Sequence, residues 1–189
     1  MREIFWVRHG PTHRKDIVGW TDVPADLSDT AALARLAAYL PDAPVISSDL
    51  IRAVATADAI AQNRPRLPHD PALREIYFGD WETRTHTDLS AEFPELMRVY
   101  WDDPETHFPP GGERWSEMVA RVTETVTRLS AQHERLIVVA HMGVIVGQIQ
   151  RALNLPLRDA LAQKIDNLSV TRTVFTPGKG QADPINFRP

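Results

Sequence analysis

The sequence predicts an α/β fold on a mostly parallel central sheet, with a small helical insertion over one end. Three observations carry this expectation. Short apolar runs alternate with helical patterns through the first third of the chain and again after residue 134, the order of a mostly parallel sheet. Each of the best runs stops abruptly at polar residues, as strands do where they reach the edge of a sheet. Between Tyr77 and Trp115 the alternation gives way to aromatic and acidic residues, and eight of the fourteen aromatic residues fall within those 39 positions.

The first run, Ile4-Phe5-Trp6-Val7, is broken at Gly10-Pro11 and reads as a buried strand ending in Arg8-His9. Residues 13 to 26 are polar and turn-rich and form a surface loop. Ser28 is the expected N-cap of a helix from about Asp29 to Leu40, with Leu33, Leu36, Ala37 and Leu40 at helical spacing. Pro41 stops it. Pro44 to Ser48 is a second short strand, running directly into a helix over residues 49–60. Residues 63–75 carry three prolines and make a connection with at most one short strand, around Arg66-Leu67.

Within the insertion, taken as residues 77–115, a helix is expected from about Asp88 to Tyr100, followed by the turn Pro109-Pro110-Gly111-Gly112. A long helix from about Arg114 to His133 places Met118, Val122, Val126 and Leu129 on one face. Leu136 to Ala140 is the clearest buried strand, and it too ends in a histidine, His141, before an apolar helix over residues 144–153. Ser169 to Phe175 is expected as a last strand near an edge. One domain then covers residues 1–176, with a loose Pro/Gly-containing tail over 177–189.

The totals narrow the class. A chain of 189 residues accommodates one full core. A net charge of -4 and a pI near 6.0 argue against nucleic acid as the partner. No run approaches the ~20 apolar residues of a spanning helix, which argues against a membrane. Met1-Arg2-Glu3 leads directly into the first strand without an apolar leader segment, so a cytoplasmic location is expected. With no cysteine, thiolate catalysis, disulfides and cysteine-ligated zinc are excluded. A homo-oligomer is neither implied nor excluded.

Arg8-His9, Ser47-Ser48 leading to Arg52, and His141 all stand at carboxyl ends of predicted strands. In a parallel sheet these ends share one edge, where α/β folds bind ligands. Two arginines and two histidines beside a helix N-terminus suit a doubly charged tetrahedral anion. Neither glycine-rich nucleotide-binding pattern is present, so a phosphomonoester is the expected ligand. His13 lies four residues after His9, the spacing of a helical zinc pair, but Gly10 and Pro11 forbid a helix there.

Arg8-His9-Gly10 with Thr12, Arg52 in Ser-Ser-x-x-x-Arg-Ala-x-x-Thr-Ala, Leu73-x-Glu75-x-x-x-Gly79-x-Trp81-Glu82 and the strand-final His141 together resemble the histidine phosphatase superfamily, the phosphoglycerate mutase-like proteins. The resemblance runs from about residue 3 to residue 175. It implies a three-layer α/β/α domain, a phosphohistidine intermediate, and neither cofactor nor metal. Several positions depart from the family pattern: Pro11 replaces an acid or glutamine, Lys15 an asparagine, Met142 the first glycine after the histidine, and Thr83 the glycine after Glu82. Lys15 bears on substrate range, while the main-chain N–H of Met142 remains available to phosphate.

The resemblance implies that His9 attacks phosphorus while Arg8, Arg52, Thr12, His141 and the Met142 N–H hold its oxygens. Glu75 is the candidate acid and base, and Glu82 is its competitor, more readily read as a structural anchor. Glu75 also has a plain alternative as the salt-bridge partner of Arg74. The leading function is hydrolysis of a small phosphorylated metabolite. A phosphoglycerate-type mutase and a non-catalytic phosphate-binding regulatory protein are the alternatives. The aromatic insertion follows Glu75 directly, so Tyr100, Trp101 and Phe108 are expected near a bulky or ring-bearing organic group.

Overall fold

The computed structural model describes residues 2–176 and 178–189. Five strands order as β2-β3-β1-β4-β5. The first, β1 (Arg2–Arg8), lies in the centre and pairs in parallel with β3 (Arg135–Ala140), which pairs in parallel with β2 (Val45–Ser47). On its other side β1 meets β4 (Val170–Thr176) antiparallel, and β4 meets β5 (Lys179–Ala182) antiparallel. The sheet is therefore mixed, parallel only across its β2-β3-β1 half. That half carries the strand ends singled out from the sequence.

Alternation along the strands feeds two apolar layers. Ile4, Trp6, Leu136, Val138 and Ala140 pack on helices α5 (Trp115–Ser130) and α6 (Met142–Leu153). Val7, Ile137, Val139 and Val45 pack on α1 (Thr30–Tyr39) and α2 (Ile51–Ala61). The result is the expected α/β/α arrangement, with successive side chains of one strand serving opposite layers. Met118, Val122 and Val126 of α5 are fully buried, as their spacing predicts. Trp6 buries its indole without penalty because Nε1 donates to Thr173 Oγ1 at 2.9 Å.

Several elements differ from expectation for identifiable reasons. Asp29, not Ser28, caps α1, its carboxylate accepting from Ala32 N at 2.9 Å. The single helix expected over 88–100 is two, α3 (His86–Glu92) and α4 (Pro94–Tyr100), because Pro94 lacks an N–H and opens a new first turn. The strand expected near Arg66-Leu67 is reduced to one bridge, Val45 with Arg66. A short helix, α7 (Leu157–Leu161), was not anticipated. Trp81, Leu89, Met97, Tyr100 and Ile17 form a separate apolar cluster that holds the cap together.

The expected loose tail is corrected. Pro177, where it was to begin, lies outside the described residues, but Lys179–Ala182 are the edge strand β5, so β4 is interior. Phe187 bridges back to Val170 and packs tilted against Tyr39 with ring centroids 4.8 Å apart. Asn186 Oδ1 accepts from Asp166 N at 2.6 Å. Gly178, just ahead of β5, takes a left-handed φ of 77°, which glycine adopts without strain.

Candidate active site

Register alone brings the polar strand ends together. Arg8 lies beside Ala140, and Ser47 beside Val139, so the residues that follow each strand emerge at one edge. The rings of His9 and His141 are 5.1 Å apart between centroids. The backbone around His9 is tied on every side. Its N–H donates to Ala140 O at 3.1 Å, its carbonyl accepts from Asn167 Nδ2 at 2.8 Å, and Gly10 N donates to Thr56 Oγ1 at 3.0 Å. A Cβ at position 10 would be tight, 2.6 Å from Leu27 Cδ2 and 3.1 Å from Asp26 O, so the Leu27 side chain would have to move.

His9 Nδ1 lies 2.7 Å from Gly10 O. A carbonyl only accepts, so Nδ1 carries the proton and Nε2 keeps its lone pair. Burial, reinforced by the charges of Arg52 and Arg8, lowers the His9 pKa to about 3. Burial is the larger cause. His141 is fully buried and is held well below the ordinary histidine range by burial and then by Arg52. Both rings are neutral near pH 7.

The two arginines supply the charge. Arg52 is 1% exposed and donates to Thr21 O at 2.9 Å and Gly19 O at 2.5 Å. Arg8 donates to Ile165 O at 2.5 Å and leaves Nε buried without a partner. Among the described residues neither guanidinium forms an ion pair. Two guanidiniums whose hydrogen bonds end on carbonyls, with the Glu75 carboxylate near both but paired to neither, form a positive site that an anion would neutralise.

Glu82 stabilises this arrangement from one step away. Its carboxylate accepts from Trp20 N (2.8 Å), Thr21 N (3.0 Å), Gly19 N and Phe78 N (both 3.2 Å), and also from the Thr21 hydroxyl. It thereby fixes the 19–21 loop whose carbonyls hold Arg52. Glu75 is placed differently. One of its oxygens accepts from Gly143 N at 3.1 Å and the other from Ile76 N at 3.1 Å, which leaves lone pairs free. A Cβ at position 143 would lie 2.6 Å from Glu75 Oε1, so this carboxylate position requires glycine there. Arg74 does not pair with Glu75; it makes a bidentate bond to Asp49 at 2.7 and 2.5 Å.

Two residues that sequence reasoning missed hold Glu75 in place. Trp20 Nε1 and Arg121 Nη2 donate to its carbonyl at 2.7 and 2.8 Å. The one available signal was Arg121 itself, a cation beside Val122 on the apolar side of α5. Met142 is 40% exposed at the first position of α6, where its N–H has no intrahelical partner. Thr12 is half-buried just beyond Gly10, and Lys15 is exposed on the following loop.

Beside Glu75 lies a cavity of about 80 Å³, walled by Tyr100, Trp101, Trp115, Phe78 and Met142 among others. Tyr100 and Trp101, both singled out from the sequence, line this cavity. Phe108 does not line this cavity; Arg114 covers its ring at 4.4 Å.

The chain is similar to phosphatases of two kinds. It is 32% identical to the adenosylcobalamin/alpha-ribazole phosphatase of Salmonella typhimurium over 163 residues, 81% of this chain and 80% of that one. It is 30% identical to the glucosyl-3-phosphoglycerate phosphatase of Mycolicibacterium vanbaalenii over 175 residues, 83% and 76% of the two chains. The native structure of a mycobacterial glucosyl-3-phosphoglycerate phosphatase superposes with a TM-score of 0.84 at 25% identity over the whole of both chains. The family profile of the histidine phosphatase superfamily, branch 1, matches residues 4–188, and the chain belongs to that superfamily.

Proposed function

We propose that this enzyme hydrolyses a small phosphomonoester by two in-line displacements at phosphorus, with His9 as the transient acceptor. The observation that supports this best is the pair of guanidiniums without carboxylate partners around an imidazole whose Nε2 lone pair is free. In the first step His9 Nε2 bonds to phosphorus as the ester P–O bond breaks, and Glu75 in its acid form gives the leaving oxygen a proton. In the second step Glu75 takes a proton from water, the oxygen bonds to phosphorus, and the P–N pair returns to His9. The products are an alcohol and inorganic phosphate. Phosphoryl transfer asks mainly for positioning and charge complementarity, which Arg8, Arg52, His141, Thr12 and the Met142 N–H supply in this reading.

The organic group lies towards Tyr100 and Trp101. The cavity there presents apolar and aromatic surface next to Glu75 and no cation, which favours a ring or other bulky apolar group over a second anionic one. Phe108 contributes to this surface only indirectly, through the loop that Arg114 covers, and Lys15 meets substrate groups that extend into solvent. A cytoplasmic location completes the reading, supported by the small metabolite expected as substrate and by the absence of any helix, among the described residues, that is long and apolar enough to cross a membrane.

A screen of phosphorylated metabolites for phosphate release tests the assignment, with 3-phosphoglycerate isomerisation as the control for mutase activity. Quenching during turnover should trap an acid-labile, base-stable phosphohistidine that His9→Ala lacks, and activity should survive EDTA. A fully active His9→Ala protein would end the hypothesis.

A further inference from the structure

His141 and Ser48 meet in a contact that the mechanism above does not use. Ser48 Oγ lies 2.7 Å from His141 Nε2, and both residues are fully buried. On the other side of the ring, His141 Nδ1 is buried with no partner. The contact has two readings. If Nε2 carried the proton, it would donate to Ser48, and the serine's own hydrogen would then need a second acceptor. Among the described residues Ser48 Oγ has none. If instead the hydroxyl donates to Nε2, the serine is satisfied and the ring proton must sit on Nδ1.

We infer that Ser48 is a positioning residue that fixes His141 as the Nδ1–H tautomer, so that Nδ1 is a neutral hydrogen-bond donor reserved for a phosphoryl oxygen. The inference rests on the reading that His141 faces the transferred group. It also explains how two neighbouring neutral histidines take opposite tasks. His9 is anchored through Nδ1 by a carbonyl, an obligate acceptor, and so exposes a lone pair. His141 is anchored through Nε2 by a hydroxyl that donates, and so exposes an N–H. In each case the anchoring group, rather than the ring, decides between nucleophile and donor.

The position of Ser48 is itself fixed. Its N–H donates to Val139 O at 3.2 Å, so it stands at the edge where β2 leaves β3. Among the described residues the Ser48 hydroxyl is the hydrogen-bond partner of Nε2, and removing it leaves Nε2 facing a small void. The ring then gains no benefit from keeping its proton on Nδ1.

Nitrogen-15 NMR of protein labelled at histidine reads the tautomer directly and without activity. His141 in the resting protein should show a protonated Nδ1 and an unprotonated Nε2, and titration with inorganic phosphate should move the Nδ1 signal. Ser48→Ala should bring the Nε2–H form into the spectrum and lower kcat about tenfold to a hundredfold with a smaller change in KM; Ser48→Thr, which keeps the hydroxyl, should recover most of both. A protonated Nε2 in the parent protein overturns the inference even if Ser48→Ala fails to fold. So does a Ser48→Ala protein with unchanged tautomer and turnover. A parent protein that shows the Nδ1–H form but hydrolyses no phosphomonoester would sink the functional reading instead, and leave the tautomer assignment standing.

Discussion

The strand-end pocket and the cap meet at Glu75, and they are built on opposite principles. In the pocket, buried charged and polar side chains are pinned mainly by main-chain groups, Arg52 by two carbonyls, His9 by one and Glu75 by two N–H groups, while His141 is held by the Ser48 hydroxyl. In the cap, two short helices close over an apolar cluster of their own, with Tyr100 packed edge-on to Trp81 at 5.1 Å. Backbone pinning leaves a phosphoryl group one geometry. Aromatic packing can be altered ring by ring without moving the pocket. In the function proposed above, the difference separates the chemistry, assigned to the sheet, from the choice of organic group, assigned to the cap.

The largest effect that tests this division is at the boundary. Glu75→Gln should lower turnover of alkyl phosphates about 10²–10⁴-fold and spare aryl phosphates, whose leaving groups depart without a proton. An equal loss on both would mean that Glu75 only positions the site. Glu82→Gln should separate differently. An amide would put donors against main-chain N–H groups, costing about 1–3 kcal/mol of stability, which a denaturant midpoint would register. Turnover should change less than in Glu75→Gln, and KM should rise, because the 19–21 loop holds Arg52.

Burial of neutral histidines gives the pocket a pH signature. The folded-state pKa of His9 is depressed to about 3, below the roughly 6.5 of an unfolded histidine. Between those values the unfolded chain binds a proton that the folded chain refuses, so stability falls as pH falls through that window. The slope approaches about 1.4 kcal/mol per pH unit for each such histidine, with His141 shifted in the same direction. Denaturant midpoints measured between about pH 7 and pH 5 should show it, and His9→Asn should remove about one proton's share. A midpoint constant over that range would mean that the pocket protonates without unfolding.

The same division explains what could be read from the sequence. Arg8, His9, Arg52 and His141 were legible because each follows an apolar run or helix start, and parallel register leaves their ends one place to meet. The three layers followed from the family resemblance, and the continuous apolar runs of β1 and β3, buried on both faces, fit between them. Contacts that end on main-chain atoms were not legible: Trp20 and Arg121 hold the carbonyl of Glu75, and any residue at 75 would offer one. Nor was β5, because Lys179-Gly180-Gln181-Ala182 has no apolar alternation and gains its strand from pairing with β4. That omission hid a functional link, since the tail reaches Asp166, neighbour of the Ile165 and Asn167 that hold Arg8 and His9.

Among the cap residues, Tyr100 and Trp101 should matter for binding and not for the chemical step. Both line the cavity beside Glu75, and Trp101 is 43% exposed at its mouth. Trp101→Ala should raise KM for a bulky or ring-bearing substrate about tenfold, the worth of a modest apolar contact, while sparing a minimal phosphomonoester. Tyr100→Ala should do the same with an added loss of stability, since Tyr100 also belongs to the cap's cluster. Phe108→Ala should leave both substrates close to the parent values. If turnover of the minimal substrate falls with KM in Trp101→Ala, the cap reaches into the chemistry and the division fails.

The smallest expected effect sits at Thr83, where the family pattern has glycine. Thr83 adopts a φ of 63°, in the left-handed region where a β-branched residue is strained. The conformation is enforced from both sides, because Thr83 N donates to Ile17 O at 2.8 Å and Ile17 N to Arg84 O at 2.9 Å. Those bonds tie the cap to the loop that follows His9, so the turn cannot relax without releasing that loop. Thr83→Gly would remove about 1–2 kcal/mol of strain, against about 0.5–1 kcal/mol for the greater freedom of glycine in the unfolded chain. The net gain should be near 0.5–1 kcal/mol, measurable as a higher denaturant midpoint. Because Thr83 is exposed and touches neither the pocket nor the cavity lining, kcat and KM should not move. A more stable protein with altered KM would show that the turn transmits its strain to the 19–21 loop and to Arg52, and the cap would then have a part in holding the anion site.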